Sequence, residues 1–291
     1  MTRILVTGSR GLLGSALVPH LRVCGHDVLC HSRAREADVH GDLSDAEQAS
    51  RTLNDLAPDV VVNLAALTDV DECERKPQLA YLTNVRIVEN LGRWIRDSGN
   101  KSYLVQLSTD QVYDGPGPHK EHDVTLGNYY GFSKYAAELA ATVASGIVLR
   151  TNFFGPSHCP GRRSLTDWLL QSLIQQRAIT AFNDIRFSPL SIERLVDLLG
   201  AIVARRRQGI FNLGSRNGMS KAEFAYMFAA VMGVPTTCMT SGTSDRMKLV
   251  AYRPKDMRMD SSSFEDAFGV ALPTLQEEIH SMKRAYAYEA G

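Results

Sequence analysis

Tyr130 and Lys134 stand four residues apart in Tyr130-Gly131-Phe132-Ser133-Lys134, a spacing that puts a phenol and an ammonium on one face of a helix. A tyrosine with an ordinary pKa of about 10 is a poor proton shuttle at neutral pH. A neighbouring cation stabilises the phenolate and turns the phenol into a usable acid–base group. A lysine so placed can also hydrogen-bond the ribose of a nicotinamide. The pair recurs by chance in unrelated sequences; it gains weight from Leu107-Ser108-Thr109-Asp110-Gln111-Val112-Tyr113-Asp114-Gly115 upstream. There a predicted strand ends in hydroxyls, at the edge where open α/β sheets bring substrate to cofactor.

A second constellation is Gly8-Ser9-Arg10-Gly11-Leu12-Leu13-Gly14, a G-x-x-G-x-x-G turn between a short apolar run and a helical pattern. Its glycines suit a tight turn, close approach to a pyrophosphate, and helix-on-strand contact, with Gly8, Gly11 and Gly14 in those places. The helix N-terminus adds amide donors and positive partial charge for phosphates. A tight strand-to-helix turn without a ligand is the alternative. At the end of the second predicted strand, where an acidic residue would mark an NAD ribose, the chain has Ser32 and Arg33. A hydroxyl and a guanidinium suit a 2′-phosphate, with Arg10 as a further contact, so NADPH (NADP) is the preferred cofactor and NADH the second option. Alternatively Arg33 belongs to a solvated run, Ser32-Arg33-Ala34-Arg35-Glu36. Asp42 is placed either to meet the adenine amine or to serve a helix N-cap region at Ser44.

Positioning these groups requires a sheet. β-branched runs at Arg3 to Thr7, Val28 to His31, Val60 to Leu64, Tyr103 to Leu107 and Ile147 to Arg150 alternate with helical patterns at Leu12 to Val23, Asp45 to Leu56, Gln78 to Ser98 and Tyr130 to Ser145. That alternation specifies an α/β fold, a doubly wound parallel (Rossmann) sheet with right-handed crossovers. After Arg150 the stretch Asn152 to Arg163, rich in Gly, Pro and His, begins a smaller C-terminal substrate-binding lobe. The expected division is residues 1–151 for the dinucleotide domain and 152–291 mostly for the lobe. Ser191 to Arg205 reads as a helix and Ile210 to Leu213 as a strand, so 190–214 returns to the sheet; further helices are expected at Ser220 to Met232 and Thr274 to Tyr288.

Composition narrows the class. With 32 basic and 32 acidic residues in 291, the chain has no net field to draw nucleic acid or an anionic membrane, and neither is expected as a partner. No apolar run reaches membrane-spanning or signal-peptide form, so the cytoplasm is the expected location. Five scattered cysteines without a C-x-x-C pair read as reduced thiols, Cys159 among them. His119-Lys120-Glu121-His122-Asp123 follows a Gly-Pro loop and does not make a zinc site, and no metal is expected. Trp168 reads as core packing rather than a sugar platform.

Taken together, the glycine loop, Asn63-Leu64-Ala65-Ala66, Ser108 to Tyr113, Tyr130 to Lys134, Leu149-Arg150-Thr151, Arg186-Phe187-Ser188-Pro189 and Arg253-Pro254-Lys255-Asp256-Met257 resemble the extended short-chain dehydrogenases and, within them, the dTDP-4-dehydrorhamnose reductase family. The resemblance covers nearly the whole chain. It implies Thr109 as hydroxyl partner, Tyr130 as acid and Lys134 as tuning cation. It implies cofactor contacts from Gly8, Gly11, Leu12, Asp42, Leu43, Ala65, Ala66, Thr68 and Lys134, with Asn84 supporting Lys134 through a water; the alternative for Asn84 is a helix-surface amide. Ser15 follows Gly14 where some members carry a metal-binding glutamate. Leu126-Gly127-Asn128 replaces an expected proline, and Phe153 stands where an indole is common.

The expected activity is NADPH-dependent reduction of the 4-keto group of a nucleoside-diphosphate 4-keto-6-deoxyhexose, in deoxysugar and cell-surface polysaccharide biosynthesis. Alternatives are an NAD-dependent epimerase or dehydratase of the same fold, or a non-catalytic cofactor-binding regulatory subunit. Thr109, Asp110, Asn152, Phe153, Arg162 and Arg163 are the expected contacts of the nucleotide-sugar substrate. For Arg162 and Arg163 the alternative is that they cap a surface helix. A homodimer is allowed.

Overall fold

The computed structural model describes residues 1–33, 37–99 and 101–289. In chain order the elements are β1 (Arg3–Thr7), α1 (Leu12–Val23), β2 (Asp27–Ser32), β3 (Val39–His40), α2 (Ala46–Leu56), β4 (Val60–Asn63), α3 (Val70–Arg75), α4 (Pro77–Ala80), a π-helical turn (Tyr81–Arg86), α5 (Ile87–Asp97), β5 (Tyr103–Thr109), α6 (Tyr129–Ala141) and β6 (Gly146–Thr151). There follow β7 (Phe153–Phe154), α7 (Leu165–Ile174), β8 (Ile179–Phe182), β9 (Arg186–Phe187), β10 (Leu190–Ser191), α8 (Ile192–Arg205), β11 (Gly209–Leu213), β12 (Met219–Ser220), α9 (Lys221–Met232), β13 (Met239–Gly242), α10 (Ser262–Phe268) and α11 (Leu275–Glu289).

Backbone contacts divide the chain into two compact units: residues 1–109, 128–150 and 196–211 form the first, and 110–127, 151–195 and 212–291 the second. The expected division at residue 151, with a return at 190–214, differs in one excursion: the segment after Thr109 groups with the second unit, the chain re-enters the first at Asn128, and the later return spans 196–211.

In the first unit the sheet order is β11-β6-β5-β4-β1-β2-β3, and the pairs of β1 with β2 and β4, of β2 with β3 and of β4 with β5 are parallel. This is the doubly wound arrangement, with its topological switch between β1 and β4, where ligands bind beyond the strands' carboxyl ends. One face is covered by α2, α5 and α6, which bury Ala49, Leu53, Val88, Leu91, Ile95, Ala137 and Ala141 with Leu5, Val61, Leu104 and Val148 of the strands. α1 and α8 lie side by side: a Cβ on Gly200 would come 2.9 Å from His20 Nε2.

Local signals account for the boundaries. Asp45 caps α2 by accepting from Gln48 N at 2.8 Å, and Asn128 caps α6 by accepting from Gly131 N at 2.7 Å. The helical run expected from Gln78 to Ser98 is present as one continuous stretch from Pro77, at its first turn, to Asp97, but its middle, Tyr81–Arg86, is π-helical. β3 is only two residues long and offers no periodicity to read.

The second unit has its own core around Phe154, Phe187, Phe224 and Phe228, joined by Leu169, Leu173, Leu275, Ile279 and Met282 from α7 and α11. Phe224 meets Phe154 and Phe187 edge-on at ring-centroid distances of 4.9 and 5.3 Å, the arrangement aromatic quadrupoles favour. Trp168 does not join this core; it is 46% exposed on α7, because the buried side of that helix is taken by Leu169, Ser172 and Leu173.

Candidate active site

The glycine loop is shaped by contacts that leave no room for side chains. Gly8 has φ +61°, and a Cβ there would lie 2.9 Å from the Ala65 nitrogen. A Cβ on Gly14 would lie 2.5 Å from the Ser9 carbonyl oxygen and 2.6 Å from that of Gly8. The loop is tied to β2 through Ser9 Oγ, which donates to the His31 carbonyl at 3.1 Å. Gly11 is the N-cap of α1 and brings no side chain to the first turn, so the amides there keep their affinity for an anionic ligand. This tight, uncapped cradle fits a dinucleotide pyrophosphate.

Around it, Arg10 and Arg33 are exposed and Ser32 and Leu12 are half-buried. Residues 34–36, the rest of the arginine-rich run, lie outside the described residues. Asp42 accepts from both the backbone nitrogen and the hydroxyl of Ser44, at 2.9 and 2.7 Å. These bonds, with a smaller contribution from the Arg33 charge, hold its carboxyl below the usual range. Leu43 points its side chain into the core, 1% exposed, so only its backbone can face a ligand. Ala65 and Ala66 are half-buried and Thr68 is exposed on the loop after β4.

A buried polar ladder crosses the carboxyl ends of three adjacent strands. Thr7 Oγ1 donates to Asn63 Oδ1 at 2.5 Å, Asn63 Nδ2 donates to Gln106 Oε1 at 2.7 Å, and Gln106 Nε2 donates to the Leu107 carbonyl at 2.8 Å. Lys134 Nζ donates to that same carbonyl at 2.6 Å. Lys134 is 4% and Tyr130 7% exposed, and Tyr130 packs with Cys73 and Ala80. Burial pushes the Lys134 pKa down to about 8, against the pull of the Glu138 carboxylate. Cys73, buried beside the pair, has its thiol pushed up to about 11 by desolvation first of all, which makes it inert packing.

Asn84 is not a surface amide. It is 1% exposed, turned inward by the π-helical stretch. Its Oδ1 accepts from Leu67 N at 2.7 Å, and its Nδ2 donates to the Leu67 carbonyl at 3.1 Å and to Ser133 Oγ at 2.9 Å. Ser133 Oγ in turn donates to the Tyr130 carbonyl at 2.8 Å. Both amide hydrogens are thus used on protein, and Asn84 couples the loop after β4 to the Tyr130 helix. The π-helical stretch that aims it has no simple sequence signature.

In the second unit, Asp110 is 1% exposed and accepts from Asn152 Nδ2 at 2.7 Å. Phe153 is half-buried in β7, paired with Leu190. Arg162 and Arg163 are exposed. They do not cap α7: Ser164 does, in a reciprocal pair with Asp167. A cation with no role in the sequence analysis, Lys221, feels the Asp110 charge. Lys221 has its pKa lowered by burial, opposed by the Asp110 carboxylate and assisted by Arg253, and its Nζ sits 5.8 Å from the Phe187 ring centre. Lys221 directly follows a Ser220 capping box with Glu223, a setting that reads as an ordinary surface helix start.

The His119 loop has a structural explanation. His119 stacks on Tyr113 at 5.0 Å, and its Nε2 lies 2.9 Å from the Asp256 carbonyl. Among the described residues no group of three or more His, Cys, Asp or Glu is arranged to hold a metal ion. No helix formed by described residues is long and apolar enough to cross a membrane.

A parallel sheet with a glycine cradle at its switch point and a Tyr-x-x-x-Lys helix against a hydroxyl-bearing strand end defines the extended short-chain dehydrogenase/reductase class. Within it, the sequence model of the RmlD substrate binding domain family matches residues 1–288, and the chain belongs to that family. The chain is 28% identical over 97% of its length to the probable low-salt glycan biosynthesis reductase Agl14 of Haloferax volcanii, and covers 97% of that protein. It is 27% identical to the dTDP-4-dehydrorhamnose reductase of Escherichia coli K12, covering 96% of each chain. The fold superposes on the Bacillus anthracis dTDP-4-dehydrorhamnose reductase solved in complex with NADP, with a TM-score of 0.88, 21% identity and 99% of each chain covered.

Gly14→Ala tests the cradle. The new Cβ meets backbone oxygens that cannot turn away, so dinucleotide affinity measured by calorimetry is expected to fall at least about tenfold, roughly 1.4 kcal/mol. Unchanged affinity would show that the loop does not hold the cofactor.

Proposed function

We propose that the protein is an NADPH-dependent reductase of a nucleoside-diphosphate 4-keto-6-deoxyhexose, with dTDP-4-dehydrorhamnose the leading candidate substrate, acting in deoxysugar and cell-surface polysaccharide synthesis. The observation that carries the reading is the seating of Lys134 Nζ on the Leu107 carbonyl, 2.6 Å away, two residues before Thr109 and one helical turn after Tyr130. The bound dinucleotide supplies the hydride that reduces the ketone. Tyr130 gives its phenolic proton to the sugar oxygen as the carbon is reduced, and Thr109 donates a hydrogen bond to that oxygen. Lys134, largely protonated at neutral pH given its value of about 8, stabilises the phenolate left behind. Gly8, Gly11, Leu12, Gly14, Ala65, Ala66 and Thr68 form the dinucleotide cradle.

Asp110 and Asn152, already hydrogen-bonded to each other, together with Phe153, Arg162 and Arg163, are the candidates for contacting the sugar nucleotide. Ser32 and Arg33 in place of an acidic residue favour the phosphorylated cofactor over NAD. That also argues against an epimerase, which recycles a tightly held NAD. The family's presence in glycan-building reductases such as the Haloferax protein supports the reductase reading over a non-catalytic subunit.

We also infer a cytoplasmic homodimer. The thiol inventory supports the compartment, with five free cysteines, and recovery from a secreted fraction would overturn it. The dimer is supported by Phe132 and Leu139, 49% and 53% exposed two turns apart on one side of α6, with Val143, 46% exposed, in the turn just beyond its end. Sedimentation as a monomer at micromolar concentration would exclude it.

Two substitutions separate the roles. Tyr130→Phe removes the proton donor and should lower kcat by roughly 10²- to 10⁴-fold with cofactor affinity unchanged; normal turnover would reassign the acid. The unmodified protein should bind NADPH at least about tenfold more tightly than NADH. Arg33→Ala should remove most of that difference, and equal affinities in the unmodified protein would refute the preference.

A further inference from the structure

Beneath the Tyr130–Lys134 pair lies a charge pair with no place in the proton chemistry. Glu138 is 0% and Arg150 1% exposed. Arg150 grips the carboxylate with two nitrogens: Nε lies 3.0 Å from Oε1, and Nη2 lies 2.6 Å from Oε2. Ser108 Oγ donates to the same Oε1 at 2.5 Å. Three elements therefore converge on one carboxylate: α6 through Glu138, β6 through Arg150, and β5 through Ser108.

Removing two full charges from water costs several kcal/mol per ion before any mutual attraction, and apolar residues of similar volume often serve stability as well or better. Stability alone is therefore a poor reason for the pair. Its placement suggests another. Lys134 and Glu138 are successive residues on one side of α6. Lys134 holds the Leu107 carbonyl at 2.6 Å, and Glu138 holds Ser108, the next residue along β5. Two bonds one helical turn apart, to adjacent residues of one strand, fix both the rotation and the axial position of the helix. Either bond alone would leave the helix free to slide or roll about it. Ser108 is also bonded covalently to Thr109.

Resting on the reductase reading for its kinetic part, we propose that the buried Glu138–Arg150 pair, acting through Ser108, is a positioning device that sets the register of the Tyr130–Lys134 helix against the strand end carrying Thr109. Fixing register is the best-attested use of a buried polar group. All three residues are buried, and none has a part in the proton transfer. The Glu138 charge also opposes the desolvation of Lys134, so the pair favours the protonated state of the cation it positions.

The device is tested on two variants with two readouts. Ser108→Ala leaves the ion pair in place and cuts its link to β5. In a reductase assay with NADPH and a nucleotide keto-sugar, kcat should fall about tenfold with KM within about twofold, the pattern of misplaced groups rather than lost binding. Ser108→Thr, which keeps the hydroxyl, should recover most of the rate. Unchanged kcat in the alanine variant, or a change confined to KM, would overturn the proposal. The second variant, Glu138→Leu with Arg150→Met, replaces the pair by apolar groups that avoid a stranded charge. Its crystal structure should show α6 displaced, with Lys134 Nζ out of hydrogen-bond reach of the Leu107 carbonyl; a superposable helix would overturn the proposal without reference to activity. A wild-type protein inactive on every nucleotide keto-sugar would refute the reductase reading alone, and the structural comparison would still decide the positioning claim.

Discussion

The carbonyl of Leu107 is the point on which the arrangement of the site depends. It accepts an ammonium from α6 and an amide from Gln106, at 2.6 and 2.8 Å. An unpaired lysine with so little exposure would be strongly disfavoured. The bond to Leu107 therefore ties α6 to the end of β5. Through Gln106 and Asn63 the same network reaches Thr7, the last residue of β1, immediately before the glycine loop. The glycine loop and the Tyr130–Lys134 helix are thus linked by a short chain of satisfied buried groups, which rigidify only when every member is paired.

The loop after β4 is held from two sides. Thr7 Oγ1 accepts from the Leu64 and Ala65 nitrogens, both at 3.2 Å, while Asn84 clamps Leu67 by both its polar backbone atoms. This loop passes so close to Gly8 that a side chain there would strike it.

Much of this was legible in the sequence because it is carried by local signals. The strands appear as runs of Val, Ile and Leu, the tight loop after β1 as glycines at fixed spacing, and the buried Tyr130 and Lys134 of α6 as Tyr and Lys separated by one helical turn. What escaped has long-range causes. Asn84 is a buried clamp in a π-helical stretch, where the sequence pattern read as a regular helix. Glu138 and Arg150 look like ordinary charges of a helix and a strand, and only folding brings them together away from water. β3 is too short to leave a pattern. The grouping of residues 110–127 with the second unit is set by contacts distant in sequence. Trp168 was expected in the core on composition, but the helix that carries it buries its other side.

The assignments of Tyr130, Lys134 and Thr109 share one physical premise, that the chain arranges a single transfer of hydride and proton to a sugar ketone. Family membership and fold agree with that premise, and the substitution of Ser32 and Arg33 for an acidic residue inclines it toward a cofactor that arrives reduced and leaves oxidised. The most direct test follows the hydride itself. With NADPH deuterated at the transferable C4 position and a nucleotide 4-keto-6-deoxysugar, mass spectrometry and NMR of the product should find one deuterium at C4 of the sugar for each NADP⁺ released. Unlabelled sugar product, with the cofactor retained and recycled on the protein, would contradict the account.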